Sequence, residues 1–385
     1  MKILHTADWH VGRAIRGRSR ADEHRDVLAE IASIAARERV DVVLVVGDLF
    51  DTATPTAESE KIVYAALLAL AQTGATVVVL AGNHDSDRRL QAVAPLLELG
   101  HVVTRPVFAS AANGGVVELH SRDGRERALL ACVPFLSQRW VVKAQDLLDH
   151  DAATHQALYG ERMRMLVRAL TAGFTDANTI HLLAAHCMVQ GAETTGSERM
   201  GQPVFEYSLT AHAFPPALQY VALGQLHRQQ LVPGPIPIHY PGSPLQLDFG
   251  EVKDEKGVLL VDVHPGKPAI VAPIKLTAGR RLRQIQKSMS ALRASTLDTG
   301  DDWLKVVVEE KSRPGLADEV RALLPNAVDV VIASVADAEH PPRRPRTGRT
   351  PQELFAEFLT DRSIEADKLA PMFAALLAEV LEPSP

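Results

Sequence analysis

The chain has 385 residues, 46% of them hydrophobic, and a net charge of -6. That length predicts two or three domains rather than one, with enough apolar material for a sizeable core. The acidic balance excludes binding to nucleic acid through bulk positive charge, so any such affinity must come from local basic patches, bound metal ions or a partner.

The N-terminus, MKILHTADWH, carries no signal-peptide pattern, and no apolar run is long enough to span a membrane. The two cysteines, Cys132 and Cys187, lie in apolar, strand-like runs. The expectation is a reduced, cytoplasmic protein.

Apolar strands and amphipathic helices alternate in the first half. Lys2 to Ala7 reads as a strand, and Ala21 to Arg39 as a helix with Val27, Leu28, Ile31, Ile34 and Ala35 on one face. Val42 to Val46 is a continuous apolar run ending at Gly47, the mark of a buried strand. Thr54-Pro55 is placed to open the next helix, with threonine as cap and proline at the first helical position. That helix ends near Gly74, and Thr76 to Leu80 is the next strand. The rhythm predicts an α/β domain around a buried sheet.

Leu136 to Phe174 reads as mostly helical and polar. Strands resume at Ile180 to Ala185, Tyr220 to Leu223, Ile236 to Tyr240 and Val258 to Val263. A smaller α/β unit follows, with strands at Ala269 to Leu276, Leu304 to Val308 and Val328 to Ala333. Leu282, Ile285, Met289 and Leu292 mark a helix, and Leu316 to Leu324 another. His340 to Arg349 is a Pro/Arg-rich linker, unsuited to packing. Thr350-Pro351-Gln352-Glu353 is a capping box for a short helix, and the last helix carries a stripe of Leu369, Phe373, Leu376, Leu377 and Val380.

Five short motifs fall at the carboxyl ends of expected strands: Asp8-Trp9-His10, Gly47-Asp48-Leu49-Phe50-Asp51, Gly82-Asn83-His84-Asp85, His186 alone, and Gly224-Gln225-Leu226-His227. Strand carboxyl ends are where open α/β sheets build binding sites. Carboxylate, amide oxygen and imidazole together suit a divalent ion of intermediate hardness such as Mn²⁺. A shared carboxylate can bridge two ions about 3.5–4 Å apart, the geometry for in-line attack on phosphorus. His5 and His181 also lie in strands and read as structural.

This ordered set resembles the calcineurin-like metallophosphoesterase signature. The strings ILHTADWHVGR, VVGDLFDTATP, VVLAGNHDS, FPPALQYVALGQLHRQQ and YPGSPLQLDFGE narrow the resemblance to the SbcD family of nucleases, over roughly residues 1–335. The resemblance implies a metallophosphoesterase β-sandwich flanked by helices over residues 1–268, a small α/β DNA-capping domain over 269–337, and a linker with C-terminal helices over 338–385. It implies a two-metal nuclease with double-strand exonuclease and single-strand endonuclease activity, using two Mn²⁺ ions with Mg²⁺ as the other option. Asp8, His10, Asp48 and His227 would hold the first ion. Asp48 would bridge to a second ion held by Asn83, His186 and Gln225. The resemblance makes His84 and His10 the catalytic histidines, with His84 unligated near the phosphate and Asp51 and Asp85 orienting these groups.

The family pattern has histidine where this chain has Gln225, a neutral oxygen donor and a weaker ligand. The implied partners are DNA, an SbcC-like coiled-coil ATPase docked by the C-terminal helices, and a second copy of the chain within a heterotetramer. Arg13, Arg16, Arg18 and Arg20 cluster after the first motif, where phosphate contact and a solvated loop are both open readings. Two alternatives remain open. A small-molecule phosphodiesterase is disfavoured by the region after residue 275, and a scaffold weakened at Gln225 is disfavoured by retention of the other site residues.

Overall fold

The structure is a computed structural model that describes residues 1–137, 141, 152–198, 208–295, 297–333, 351–361 and 366–381. The expected linker at 340–349 and the threonine of the capping box lie outside the described residues.

Two six-stranded sheets stack face to face. In the first, β1 (Lys2–Thr6), β2 (Val42–Val46), β3 (Thr76–Leu80) and β4 (Val102–Arg105) run parallel. They are edged by the antiparallel β13 (Gly257–Asp262) and β14 (Ile270–Lys275). The second sheet has the order β11 (Gln230–Leu231), β12 (Ile238–Tyr240), β10 (Tyr220–Gly224), β7 (Ile180–His186), β6 (Arg127–Val133) and β5 (Val116–His120).

Period-two alternation sorts the strand residues between layers. Ile3, Leu44, Val78 and Leu80 meet Leu130, Cys132, Leu182 and Ala222 between the sheets. Leu4, Val43, Val45, Val77 and Val79 face outward onto α1 (Ala21–Glu38) and α2 (Ala57–Gln72). The face of α1 expected from its spacing, Val27 to Ala35, is buried there. The outer face of the second sheet, with Leu183, Ala185, Val221 and Leu223, is covered by Tyr159, Met163, Val167 and Leu170 of α4 (Ala152–Thr171). A further helix, α3 (Asp87–Leu99), follows β3. Strands apolar on both faces are a consequence of this double covering, and each such residue contributes about 1.5–3 kcal/mol on burial.

Three local expectations are corrected. The second helix starts at Ala57, not after Thr54, because Thr56 is the residue whose side chain accepts the Ser59 N–H at 3.2 Å. The strand expected to open the second unit is β14, which pairs along its whole length with β13 as the edge of the first sheet. The helix expected from Leu282 is a strand, β15 (Leu282–Lys287), followed by the short α5 (Met289–Ala294). Leu282 packs with Ile15 and Phe249 of the large body, whereas Ile285 enters the small module's own core. One strand serving two cores loses the period-two signature and imitates a helix.

The small module is a parallel sheet of β15, β16 (Trp303–Val308) and β17 (Ala327–Ile332) with α5 and α6 (Leu316–Leu323). It has a separate core of Ile285, Met289, Leu292, Leu304, Val306, Leu316 and Val320. Two final helices, α7 (Pro351–Asp361) and α8 (Ala366–Leu381), pack on each other, with Phe355 and Phe373 stacked at 4.2 Å between centroids. No helix among the described residues is long and apolar enough to cross a membrane.

Candidate metal centre

The carboxyl ends of β1, β2 and β3 in one sheet and of β7 and β10 in the other converge on one point. Close approach there is enforced by missing side chains. A Cβ on Gly47 would stand 2.2 Å from His186 Nδ1, and one on Gly82 would stand 2.1 Å from Asp48 Oδ1.

The turns leaving these strands are strained. Asp8, His10, Asp48 and Gln225 have φ values of 55, 46, 53 and 99°, a left-handed conformation costing about 1–3 kcal/mol per side-chain-bearing residue. Backbone bonds hold two of the turns together, Asp8 N to Gly47 O and His10 N to Asp48 O, both at 3.0 Å. Strain locked in this way at several polar residues points to a functional site.

Asp8, His10, Asp48, His84, His186, Gln225 and His227 are all buried, and Asn83 is half-buried. Ligating atoms of Asp8, His10 and His227 lie within 4.8 Å of one another, as do those of Asp8, Asp48 and His186, and those of His10, Asp48 and His84. Three of the imidazoles, His186, His84 and His227, are aimed by their other nitrogen. His186 Nδ1 donates to Val46 O at 2.8 Å, leaving Nε2 at 3.1 Å from Asn83 Oδ1. His84 Nδ1 donates to Asp51 O at 2.7 Å. His227 Nδ1 lies 3.1 Å from Glu251 Oε1, and its Nε2 faces His10 Nε2 at 3.1 Å.

The electrostatics fit a cation. Burial, with the Asp48 charge beside it, raises Asp8 to about 7. For Asp48 burial acts upward, but the facing His186, His10 and His84 outweigh it and hold its carboxyl below the ordinary range. Burial would lower His186, yet the Asp48 and Asp8 carboxylates lift it to about 9. Burial depresses His10 to about 4. Two dry carboxylates ringed by imidazoles leave a strong demand for positive charge, and their nitrogens and oxygens are the donor set of a divalent ion.

Around them, Asp85 accepts the backbone N–H groups of Gly82, Phe50 and Leu49 at 2.9, 3.0 and 3.3 Å, fastening the β2 turn to the β3 turn. Asp51 Oδ1 lies 3.6 Å from His10 Nδ1 and 3.2 Å from Arg13 Nη1. Gln225 N–H donates to Asp8 at 2.9 Å, a role independent of its side chain.

The four arginines separate. Arg13 is at the site's rim through Asp51. Arg16 bridges Asp329 at 2.8 Å and Asp248 at 3.3 Å, and Arg18 is exposed. Arg20 is a correction: at 1% exposure it is not available to a phosphate. It is held instead by Glu23 at 2.7 Å and by the carbonyl of Gln246, because the loop turns inward where α1 begins.

The sequence reading missed Glu251, which is fully buried against His227. Its only signal was an acidic residue closing the string YPGSPLQLDFGE. The free thiols of Cys132 and Cys187 are pushed up to about 12 by burial and lie in the apolar cores.

Residues 1–185 match the calcineurin-like phosphoesterase family, whose members are phosphoester hydrolases that use divalent metals. The SbcD component of the SbcCD nuclease of Bacillus subtilis is 34% identical over 293 residues, covering 73% of this chain and 71% of that protein. The SbcD component from Rhodobacter capsulatus is 36% identical over 275 residues, covering 69% and 67%. That of Escherichia coli K12 is 30% identical over 305 residues, covering 76% and 73%. Strand ends, donor set and these relatives agree: the chain belongs to the SbcD family of calcineurin-like phosphoesterases.

Proposed function

We propose that the chain is a metal-dependent DNA nuclease of double-strand-break repair, cleaving phosphodiesters as a double-strand exonuclease and single-strand endonuclease with an SbcC-like ATPase. The observation that carries this reading is the convergence of buried carboxylates and imidazoles from five strand ends. Asp8, His10, Asp48 and His227 would hold one divalent ion, Mn²⁺ in this reading, and Asp48, Asn83, His186 and Gln225 would hold a second. Such ions would supply Lewis-acid charge and lower the pKa of the attacking water.

The chain's own groups do the rest. His10 and His84 would flank the reacting phosphate. His84, with Nδ1–H given to Asp51 O, would act as the imidazolium, giving the proton on Nε2 to the leaving oxygen as its bond to phosphorus breaks. Asp51 and Asp85 keep the turns and imidazoles in place, and Arg13, paired with Asp51, and the exposed Arg18 are the candidate contacts to the DNA backbone.

The large body through β14 is the nuclease domain, the small module caps the DNA, and α7 and α8 dock the ATPase. Leu68 of α2 and Leu96 and Leu99 of α3 are exposed, and Leu68 reaches the backbone at Gly100 beside Leu99. They form an apolar face suited to a second copy of the chain. The buried free thiols suit a reducing, cytoplasmic setting.

The deciding experiment compares wild type and Asp48→Ala on linear duplex DNA, single-stranded circles and bis-p-nitrophenyl phosphate with Mn²⁺. Loss of all three activities in the variant, and of wild-type activity with EDTA, is expected. Mn²⁺-dependent turnover surviving in Asp48→Ala would overturn the site.

A further inference from the structure

Glu251 is a carboxylate with no exposure at all, and burying a charge is costly unless it is paired. Its pairing is complete. Oε1 faces His227 Nδ1 at 3.1 Å, Oε2 takes Lys256 Nζ at 2.6 Å and Leu247 N–H at 3.0 Å, and the Ser197 hydroxyl also donates to it. With Nδ1–H shared between Glu251 Oε1 and the oxygen of the Ser197 hydroxyl at 2.8 Å, the lone pair of His227 sits on Nε2, the atom facing His10.

Glu251 ends a short 3-10 turn, Phe249–Glu251. The Gln246 amide gathers the carbonyls leaving that turn, donating to Glu251 O at 2.9 Å, Val252 O at 3.1 Å and Asp254 O at 3.3 Å. Its Oε1 accepts the N–H of Leu282, the first residue of the small module, at 2.7 Å. The Gln246 carbonyl accepts from Arg20, Arg20 pairs with Glu23, and Glu23 accepts Trp303 Nε1–H and Arg280 N–H, both at 2.9 Å. Gln246 therefore joins the turn behind His227 to β15 through its side chain, and to β16 through its main-chain carbonyl by way of Arg20 and Glu23.

We propose that Glu251 is the positioning residue of His227 and that Gln246 couples it to the small module, so that seating of that module sets the affinity of the metal ion His227 holds. This rests on the metal-site reading above. The test uses the full chain, Mn²⁺ alone as probe, and calorimetry, with bis-p-nitrophenyl phosphate turnover and metal-free melting temperature alongside. Glu251→Gln keeps the shape and removes the charge. It should weaken one Mn²⁺ step by about 10–100-fold, leave the other step unchanged, and raise the Mn²⁺ needed for half-maximal turnover more than it lowers the saturated rate. Gln246→Leu and Trp303→Phe, remote from the ions, should weaken the same step by about fivefold, the equivalent of one hydrogen bond. If Glu251→Gln does not fold, Glu251→Asp, with the charge withdrawn by one carbon, carries the same expectation.

Wild-type Mn²⁺ affinity in the Glu251 variant overturns the positioning role. So does equal weakening of both steps with a lowered metal-free melting temperature, which marks a merely structural residue. Unchanged affinity in Gln246→Leu and Trp303→Phe overturns the coupling. Failure of the wild type itself to bind Mn²⁺ would instead sink the metal-site reading.

Discussion

His84 differs from the other site imidazoles in what its nitrogens meet. Nδ1 is spent on Asp51 O, its backbone N–H donates to Asp48 Oδ1 at 2.8 Å, and its ring stands edge-on to His10 at 4.6 Å between centroids. With Nδ1 taken by a backbone carbonyl, only Nε2 is left for chemistry at the phosphate, and the ring is close enough to His10 and Asp48 that ligation is the competing role. His84→Ala should therefore keep both Mn²⁺ steps in calorimetry and lose about 10²-fold or more in turnover. Disappearance of one Mn²⁺ equivalent would make His84 a ligand. At Gln225 the backbone already serves Asp8, and the φ of 99° is equally awkward for glutamine and histidine. Gln225→His should change only the donor, so the weaker Mn²⁺ step should tighten, within the 10–100-fold scale of such changes. Equal, tight binding of two ions by wild type, with no gain in the variant, would show the amide to be a full ligand. These candidate positions were legible because each motif holds its residues within five positions at a strand end. Glu251 was not, because it meets His227 across 24 residues through a turn whose shape depends on Gln246.

At the scale of elements, the site is built from turns, and glycines set how closely these approach. Gly82 has no need of a left-handed φ; what it needs is space, since Asp48 N and Oδ1 lie 2.4 and 2.1 Å from where its Cβ would be. Gly82→Ala should push the β2 and β3 turns apart and abolish Mn²⁺ binding and turnover, while circular dichroism keeps the α/β signature of the cores. Normal Mn²⁺ stoichiometry in that variant would show that the turns have slack. The parallel strands β1, β2 and β3 were readable because helices and a second sheet bury them on both faces, leaving continuous apolar runs. β15 was not, because Leu282 and Ile285 answer to different cores. The edge strand β14 was readable as a strand but not as part of the first sheet. All six of its residues are half-buried or exposed, and its membership is fixed by pairing with β13.

Across the whole molecule, the C-terminal helices stand apart in composition. In α7 and α8, Leu359 is buried and Phe355 stacks on Phe373, which holds the pair together. Phe358, Leu369, Met372 and Leu376 are 49, 38, 60 and 50% exposed, apolar surface suited to the proposed docking of a partner. Burying what is still exposed of these four side chains, about half of each, yields about 3–6 kcal/mol, while association costs about 4–15 kcal/mol. Docking through this face has no surplus, and one charge placed in it should tip the result. Leu376→Glu, at a position outside the phenylalanine stack, should leave bis-p-nitrophenyl phosphate turnover and Mn²⁺ binding at wild-type levels, because the metal centre among the described residues takes none from α7 or α8. The same variant, and a chain ending at residue 333, should lose co-purification with the coiled-coil ATPase and with it any ATP-dependent digestion of duplex DNA. Stable co-purification of both proteins would move the docking surface into the large body or the small module. Loss of turnover on the small diester would mean instead that the terminal helices support the catalytic fold.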